Sequence, residues 1–160
     1  MQPRLDEKDL EILDLLQRNC KTTTKEIARK IGSPITTVFA KMRRMEELGV
    51  IKGYKAILDG RKLGRATTAF ILASVTYRQP GLEKSLSQRE IAQKISGFPE
   101  VQEVHIITGD WDILIKVKEK DVDEIGKFVI DKLRTVEGIQ KTLTCMVFET
   151  VKELTHVAFR

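Results

Sequence analysis

Two cysteines, two histidines, one tryptophan and one asparagine are all that the 160 residues hold of those types. Cys20 and Cys145 stand far apart without C-x-x-C spacing, which excludes a disulfide framework and a zinc site. His105 and His156 fall on different elements. No serine–histidine–aspartate set, no metal-spaced cluster and no phosphate-cradling glycine loop accompanies them. The expectation is therefore a protein without catalytic residues, metal or cofactor. No apolar run approaches the roughly eighteen residues that a membrane-spanning helix needs, and the start MQPRLDEKD is too charged for a signal peptide. A cytoplasmic protein with no membrane partner is expected. The lone asparagine, beside 32% charged residues, is the composition of a heat-adapted chain.

What is plentiful is positive charge, and it is unevenly placed. Residues 1–65 hold 15 Lys/Arg against 9 Asp/Glu, whereas residues 66–160 hold 13 against 14. The excess behind the net charge of +5 therefore lies in the first part, as expected if that part faces a polyanion. A chain of this length suits one good-sized domain or two small ones.

The basic part is organised by helix signals. Asp6 opens LDEKDLEILDLLQRN, whose Leu5, Ile12, Leu13 and Leu16 offer one apolar side. Thr23 precedes Glu26 by three residues, the spacing of a capping box. Ile27, Ala28 and Ile31 form a short stripe, and Gly32 suits a left-handed helix exit. Ser33 is placed to cap the next helix, with Pro34 in its first position. There Ile35, Val38, Met42, Met45 and Leu48 share one side, opposite Thr36, Thr37, Ala40, Arg43 and Arg44. Two helices across so tight a turn match a helix-turn-helix. Basic residues opposite an apolar stripe ordinarily mark only a solvated face. Here short side chains precede the arginines, letting the backbone approach base edges while the arginines reach guanine or phosphate. The residues expected at double-stranded DNA are Ser33, Thr36, Thr37, Ala40, Lys41, Arg43, Arg44 and Lys52. Val50 to Ile57 alternates like a strand with a turn at Lys52-Gly53, a basic wing. The helix-turn-helix domain is drawn over residues 1–53, a linker strand over 54–65 and a second domain over 66–160.

The second domain has strand grammar. Ala69 to Tyr77 is rich in β-branched and aromatic residues, and residues 82–96 follow a helical period through Leu86, Ile91, Ala92 and Ile95. Val101–Thr108 and Asp112–Lys118 form two strands around Gly109-Asp110-Trp111. Asp121 caps a helix marked by Val122, Ile125, Val129 and Leu133, and a last strand covers about Gln140 to Val151. This order is the ferredoxin-like βαββαβ pattern, so the fold class is α+β: a winged helix-turn-helix followed by a ferredoxin-like domain. Helices on one face leave the other open, and apolar residues there predict a dimer formed sheet to sheet.

In this order and over nearly the full length, the residues resemble the Lrp/AsnC (feast/famine) transcription regulators. The match runs through Leu5-Asp6 with Asp9, Ile27-Ala28-x-x-Ile31-Gly32 and Arg43-x-Met45-Glu46-x-Leu48-Gly49-Val50-Ile51 with Gly53-Tyr54. It continues through Leu63-Gly64, Val104, Gly109-Asp110-Trp111-Asp112 and Glu137-Gly138-Ile139. The resemblance implies DNA binding modulated by a small effector, commonly an amino acid, and homodimers assembling into tetramers or octamers. It implies an effector site at the turn Thr108, Gly109, Asp110, Trp111 and Asp112, with Thr142, Leu143 and Thr144 contributing from across an interface and Ile130 and Asp131 nearby. Physically, Gly109 lets backbone N–H groups approach a carboxylate, and Asp110 or Asp112 could take an ammonium group, since neither charge is buried unpaired without large cost. Gly-Asp between strands is also ordinary hairpin chemistry. Two departures stand out: a longer connection over Arg78–Gln88, and Trp111 where the family more often has Tyr or His. Sirohaem decarboxylases share the architecture, as do sequence-tolerant DNA wrappers. The basic surface of Thr36, Thr37, Arg43 and Arg44 argues against the enzyme.

Overall fold

The structure is a computed structural model that describes residues 3–76 and 87–159. It comprises two compact units, Met1–Ile57 together with Lys152–Arg160, and Leu58–Val151. The C-terminal residues, expected with the second domain, thus pack with the first. The Gln17 side chain donates to the Val157 carbonyl at 3.2 Å and accepts from the Val157 N–H at 2.7 Å.

Three helices build the first unit: α1 (Glu7–Arg18), α2 (Thr24–Ile31) and α3 (Ile35–Glu47). Two of the three expected N-terminal caps are present. Asp6 and Asp9 form a reciprocal capping box, as do Thr23 and Glu26, so each helix start has its orphan donors satisfied. Lys8 on α1 donates to the Ile31 carbonyl at 2.6 Å, placing a cation at the C-terminus of α2. Gly32 exits α2 at φ +62°, a conformation with little penalty only for glycine. Ile12, Leu16, Ile27, Ala28, Ile31, Val38 and Met45 close the core.

Three expectations fail here. Ser33 does not cap α3: Pro34 occupies the cap position, and no side chain bonds the first turn. The Ser33 N–H instead donates to the Ala28 carbonyl at 3.0 Å, helping to close α2 rather than open α3. Ile35 and Leu48 are about half exposed, at 50% and 49%, because the small core reaches only Val38 and Met45 at full burial. No strand forms over residues 50–57. The N–H groups of Val50 and Ile51 both turn back to the Met45 carbonyl, at 2.9 and 3.1 Å. Instead of a hairpin, Val50 and Ile51 pack against the core and residues 52–57 form an exposed segment without regular structure. Residues 54–65 likewise contain no strand, only a 3-10 turn at Arg61–Leu63.

The second unit is an antiparallel sheet of β1 (Thr67–Val75), β2 (Val101–Ile106), β3 (Ile113–Glu119) and β4 (Ile139–Met146), in the order β2-β3-β1-β4. This is the expected split βαβ arrangement. Ala69, Ile71, Ala73 and Val75 alternate onto one face of β1, and Ile113, Ile115 and Val117 do so on β3. That face is covered by α4 (Gln88–Ser96), through Ile91, Ala92 and Ile95, and by the stretch beginning with α5 (Val122–Lys127).

Asp121 caps α5 by accepting the Glu124 N–H at 2.9 Å. The helix then widens into a π-type turn at Phe128–Lys132 and tightens at Leu133–Thr135. Ile125, Phe128, Val129 and Leu133 all face the sheet, with Phe128 edge-on to Phe98. Val122, expected on the apolar side, is 61% exposed in the first turn. The last strand ends at Met146, well short of Val151. The end of the first strand expected at Tyr77, the helix start expected at residue 82 and residues 78–86 of the expected connection lie outside the described residues.

Candidate nucleic-acid interface and effector groove

The first unit presents α3 outward. Val38 and Met45 are fully buried beneath it, while Thr36, Thr37, Ala40, Arg43 and Arg44 are exposed on its far side, as expected. Thr36, Thr37, Ala40, Lys41 and Arg44 line one shallow depression of about 450 Å³. The short side chains sit in the first turns, and the arginines one to two turns later.

Two cations of α3 are anchored by α1. Lys41 pairs with Asp6 and lies 3.0 Å from Asp9 Oδ1. Arg44 donates to the Arg4 carbonyl at 2.7 Å, with its other terminal nitrogen 3.8 Å from Asp9 Oδ2. Burial lowers the pKa of the Lys41 ammonium, but hydrogen bonds to Asp6 and Asp9 outweigh that and leave it raised. The hydrogen bond from Lys41 in turn holds Asp6 below its ordinary range. Lys41 is thus committed within the protein. Among the described residues Arg43 pairs with its exposed neighbour Glu47, at 3.0 Å, a pair that competes weakly with another anion. Lys52 is exposed on the segment after α3, and Ser33 is half-buried in the turn before it. Tyr54 donates to Glu46 at 2.8 Å; burial and then this carboxylate push its phenol pKa up to about 12.

In the second unit, the residues expected around an effector are only partly brought together. A groove of about 590 Å³ is lined by Trp111, Arg134, Ile139, Gln140, Lys141, Thr142 and Leu143. Trp111, Thr142 and Leu143 were expected there. Thr108, Gly109 and Asp110 form an exposed turn that does not line it, with Gly109 at φ +118°. Asp112 has a different task from the one expected. Its carboxylate accepts the Val75 N–H at 2.8 Å, its carbonyl accepts from Gln88 at 3.1 Å, and its N–H donates to Ala73 at 3.0 Å. It fixes the turn against β1. Ile130 (62% exposed) and Asp131 face solvent away from the groove, and Thr144 points with Thr142 toward the helix-covered side without lining the groove.

Arg134, Gln140 and Lys141 were missed. Arg134 Nε donates to Thr142 Oγ1 at 3.3 Å, which holds the side chain at the groove. It stands in the 3-10 turn Leu133–Thr135 that follows the π-type turn. Lys141 alternates with Leu143 on the open face of β4, a signal that was legible.

A capped helix pair on a third helix, with small residues and arginines outermost, defines a helix-turn-helix DNA-binding protein; the sheet unit with its edge groove defines an appended ligand domain. The family model described as winged helix-turn-helix DNA-binding matches residues 5–52, and that described as the Lrp/AsnC ligand binding domain matches residues 68–157. The chain belongs to the Lrp/AsnC family of transcriptional regulators. It is 40% identical over 149 residues to a helix-turn-helix-type transcriptional regulator of Pyrococcus horikoshii, covering 93% of this chain and 96% of that one. It is 33% identical to the regulator FL11 of the same organism over 160 residues, the whole of both chains. Among solved structures, a transcriptional regulator of Neisseria meningitidis in complex with L-methionine superposes with a TM-score of 0.87 at 25% identity, covering 97% of each chain. The protein is a DNA-binding transcriptional regulator with a ligand-binding domain. Its relatives are regulators and not enzymes, which removes the decarboxylase alternative. No described helix is long and apolar enough to cross a membrane.

Proposed function

We infer that this regulator binds specific duplex sites through α3 and that an amino acid in the Trp111 groove tunes its binding. The observation that carries the reading is the outer face of α3: Thr36, Ala40 and Arg43 exposed directly opposite the buried Val38 and Met45. Paired copies would set two such helices in successive major grooves, about 34–36 Å apart or a multiple of that.

Pairing through the sheet is supported by the open face. Leu114, Leu72 and Leu143 stand in register across β3, β1 and β4, with Phe70 beside Cys145 in the next row. Phe70 and Leu143 remain 36% and 46% exposed. Such a face favours a homodimer, with tetramers or octamers as higher assemblies. The groove suits an amino acid because Arg134 and Lys141 offer a carboxylate two cations, while Trp111, Ile139 and Leu143 offer an apolar side chain a wall. The L-methionine bound by the Neisseria relative is of this class. Effector binding would shift the oligomer balance and so the number of recognition helices engaged at once.

A melting screen with the twenty amino acids, with and without genomic DNA fragments, tests both parts. One or a few amino acids are expected to raise the midpoint, and duplex to raise it further. Footprints should be phased and discrete. Uniform protection would indicate a DNA wrapper, and indifference to every amino acid would reject the effector.

A further inference from the structure

Phe39 is 60% exposed and Ile35 50% exposed, one turn apart on the same shoulder of α3. At about 100° per residue, Phe39 lies between Ile35 and Arg43 and borders Thr36 on the outer face. An aromatic ring and a branched aliphatic chain are thus held in water on the one surface of this unit that is otherwise short, hydroxyl-bearing and cationic. The helix buries Val38 and Met45 in the core and leaves both of these side chains outside it. A large apolar group in that place adds nothing to phosphate binding. The apolar feature that the major groove offers is the C5-methyl of thymine, which a phenyl ring or a methyl group covers.

We propose that Phe39, backed by Ile35, reads thymine methyl groups in the major groove and so sets part of this regulator's sequence preference. The proposal rests on the reading of α3 as the groove-facing helix and goes beyond it by naming the base group recognised. The geometry divides the labour along one helix face: Arg43 supplies donors for guanine or phosphate, Thr36 and Ala40 permit close approach, and Phe39 supplies the apolar contact. A polar base edge gains nothing from the ring and loses its hydration to it, so the preference runs toward thymine over cytosine at that position.

The test uses the full chain and a duplex selected from a random pool by repeated binding. Each thymine in the footprint is replaced in turn by uracil, which removes only the methyl group. At one thymine per half-site, the wild-type protein should lose about threefold to tenfold in affinity, the effect of withdrawing one buried methyl-sized contact. Phe39→Ala should bind the thymine duplex more weakly by a similar or larger factor and show no further loss on the uracil duplex. Phe39→Leu should keep part of the discrimination. Both variants should stay close to the wild-type melting midpoint, because the exposed ring is not part of the buried core. The proposal is overturned if the wild type binds every uracil duplex as tightly as thymine, or if Phe39→Ala keeps the full preference. It is equally overturned if Phe39→Ala changes the sedimenting mass and leaves base preference intact, since the ring would then cover a second copy. Should no duplex be selected even at low salt, the reading of α3 falls with it; selection without a uracil effect removes only the proposal.

Discussion

The Lys41 ammonium on α3 lies 3.0 Å from the carboxylate of Asp9 on α1, and that carboxylate is completely buried. Asp9 also accepts the Asp6 N–H at 2.9 Å, so one side chain caps its own helix and pins α3. Removing it leaves Lys41 with Asp6 as its remaining carboxylate partner, beside the space that Asp9 filled. Asp9→Ala should destabilise the first unit by about 2–4 kcal/mol, combining a lost cap with a broken buried pair. Because Trp111, the single tryptophan, belongs to the second unit, the helical dichroism signal should melt earlier while the tryptophan fluorescence transition stays in place. Unchanged dichroism melting would refute the anchoring role.

The same hub has a defined pH window. Asp6 is held below its ordinary range by Lys41, so its contribution is present above the unfolded carboxylate range and is lost as pH falls through the depressed folded value. Lys41 is raised, so its contribution is present below the unfolded lysine range and is lost as pH climbs through the higher folded value. The first unit should therefore hold its midpoint between about pH 5 and pH 10 and weaken below about pH 4. Asp6→Asn should flatten the acid limb. Tyr54 adds a spectroscopic check: one phenol should ionise only at about 12, and Glu46→Gln should bring it down.

Arg43 and Lys41 are both cations of α3, yet their duplex roles should separate. Arg43 is exposed and, among the described residues, tied to the exposed Glu47, so Arg43→Ala should weaken DNA binding and, where it meets phosphate, reduce the log–log salt slope by about one. Lys41 is spent on Asp6 and Asp9, so Lys41→Met should lower the melting midpoint with little change in that slope. Arg44→Ala should fall between, because its guanidinium already serves the Arg4 carbonyl. Equal slopes for the Arg43 and Lys41 variants would show that charge, not exposure, decides contact.

Local chemistry explains which of these features were legible in the chain. The cap at Asp6, the capping box at Thr23, the glycine exit at Gly32 and the alternation of β1 and β3 are set by neighbours within four residues, and each formed as read. Features set by distant partners were not legible. Lys41 reads as a surface cation until α1 brings Asp9 against it 32 residues away. Asp112 reads as a ligand carboxylate until β1 presents the Val75 N–H. The strand expected over Val50–Ile57 has the right alternation but no partner strand among the described residues. Arg134 reads as one more exposed cation until β4 presents Thr142 to it.

That arginine yields the sharpest test of the groove. Arg134 is exposed and holds one hydrogen bond, to Thr142, so Arg134→Gln should leave the ligand-free melting midpoint nearly unchanged. A charge-assisted bond to a carboxylate contributes about 1.5–3 kcal/mol, so the same variant should weaken amino-acid binding by roughly tenfold to a hundredfold. Trp111 lines the same groove and is the chain's only tryptophan, so its emission reports occupancy directly. Titrating wild type with the amino acid that raises its midpoint should change that emission saturably, and Arg134→Gln should shift the curve to higher concentration without altering its amplitude. An unshifted curve would mean that the ligand carboxylate is held elsewhere. A signal absent in both proteins would place the effector outside this groove.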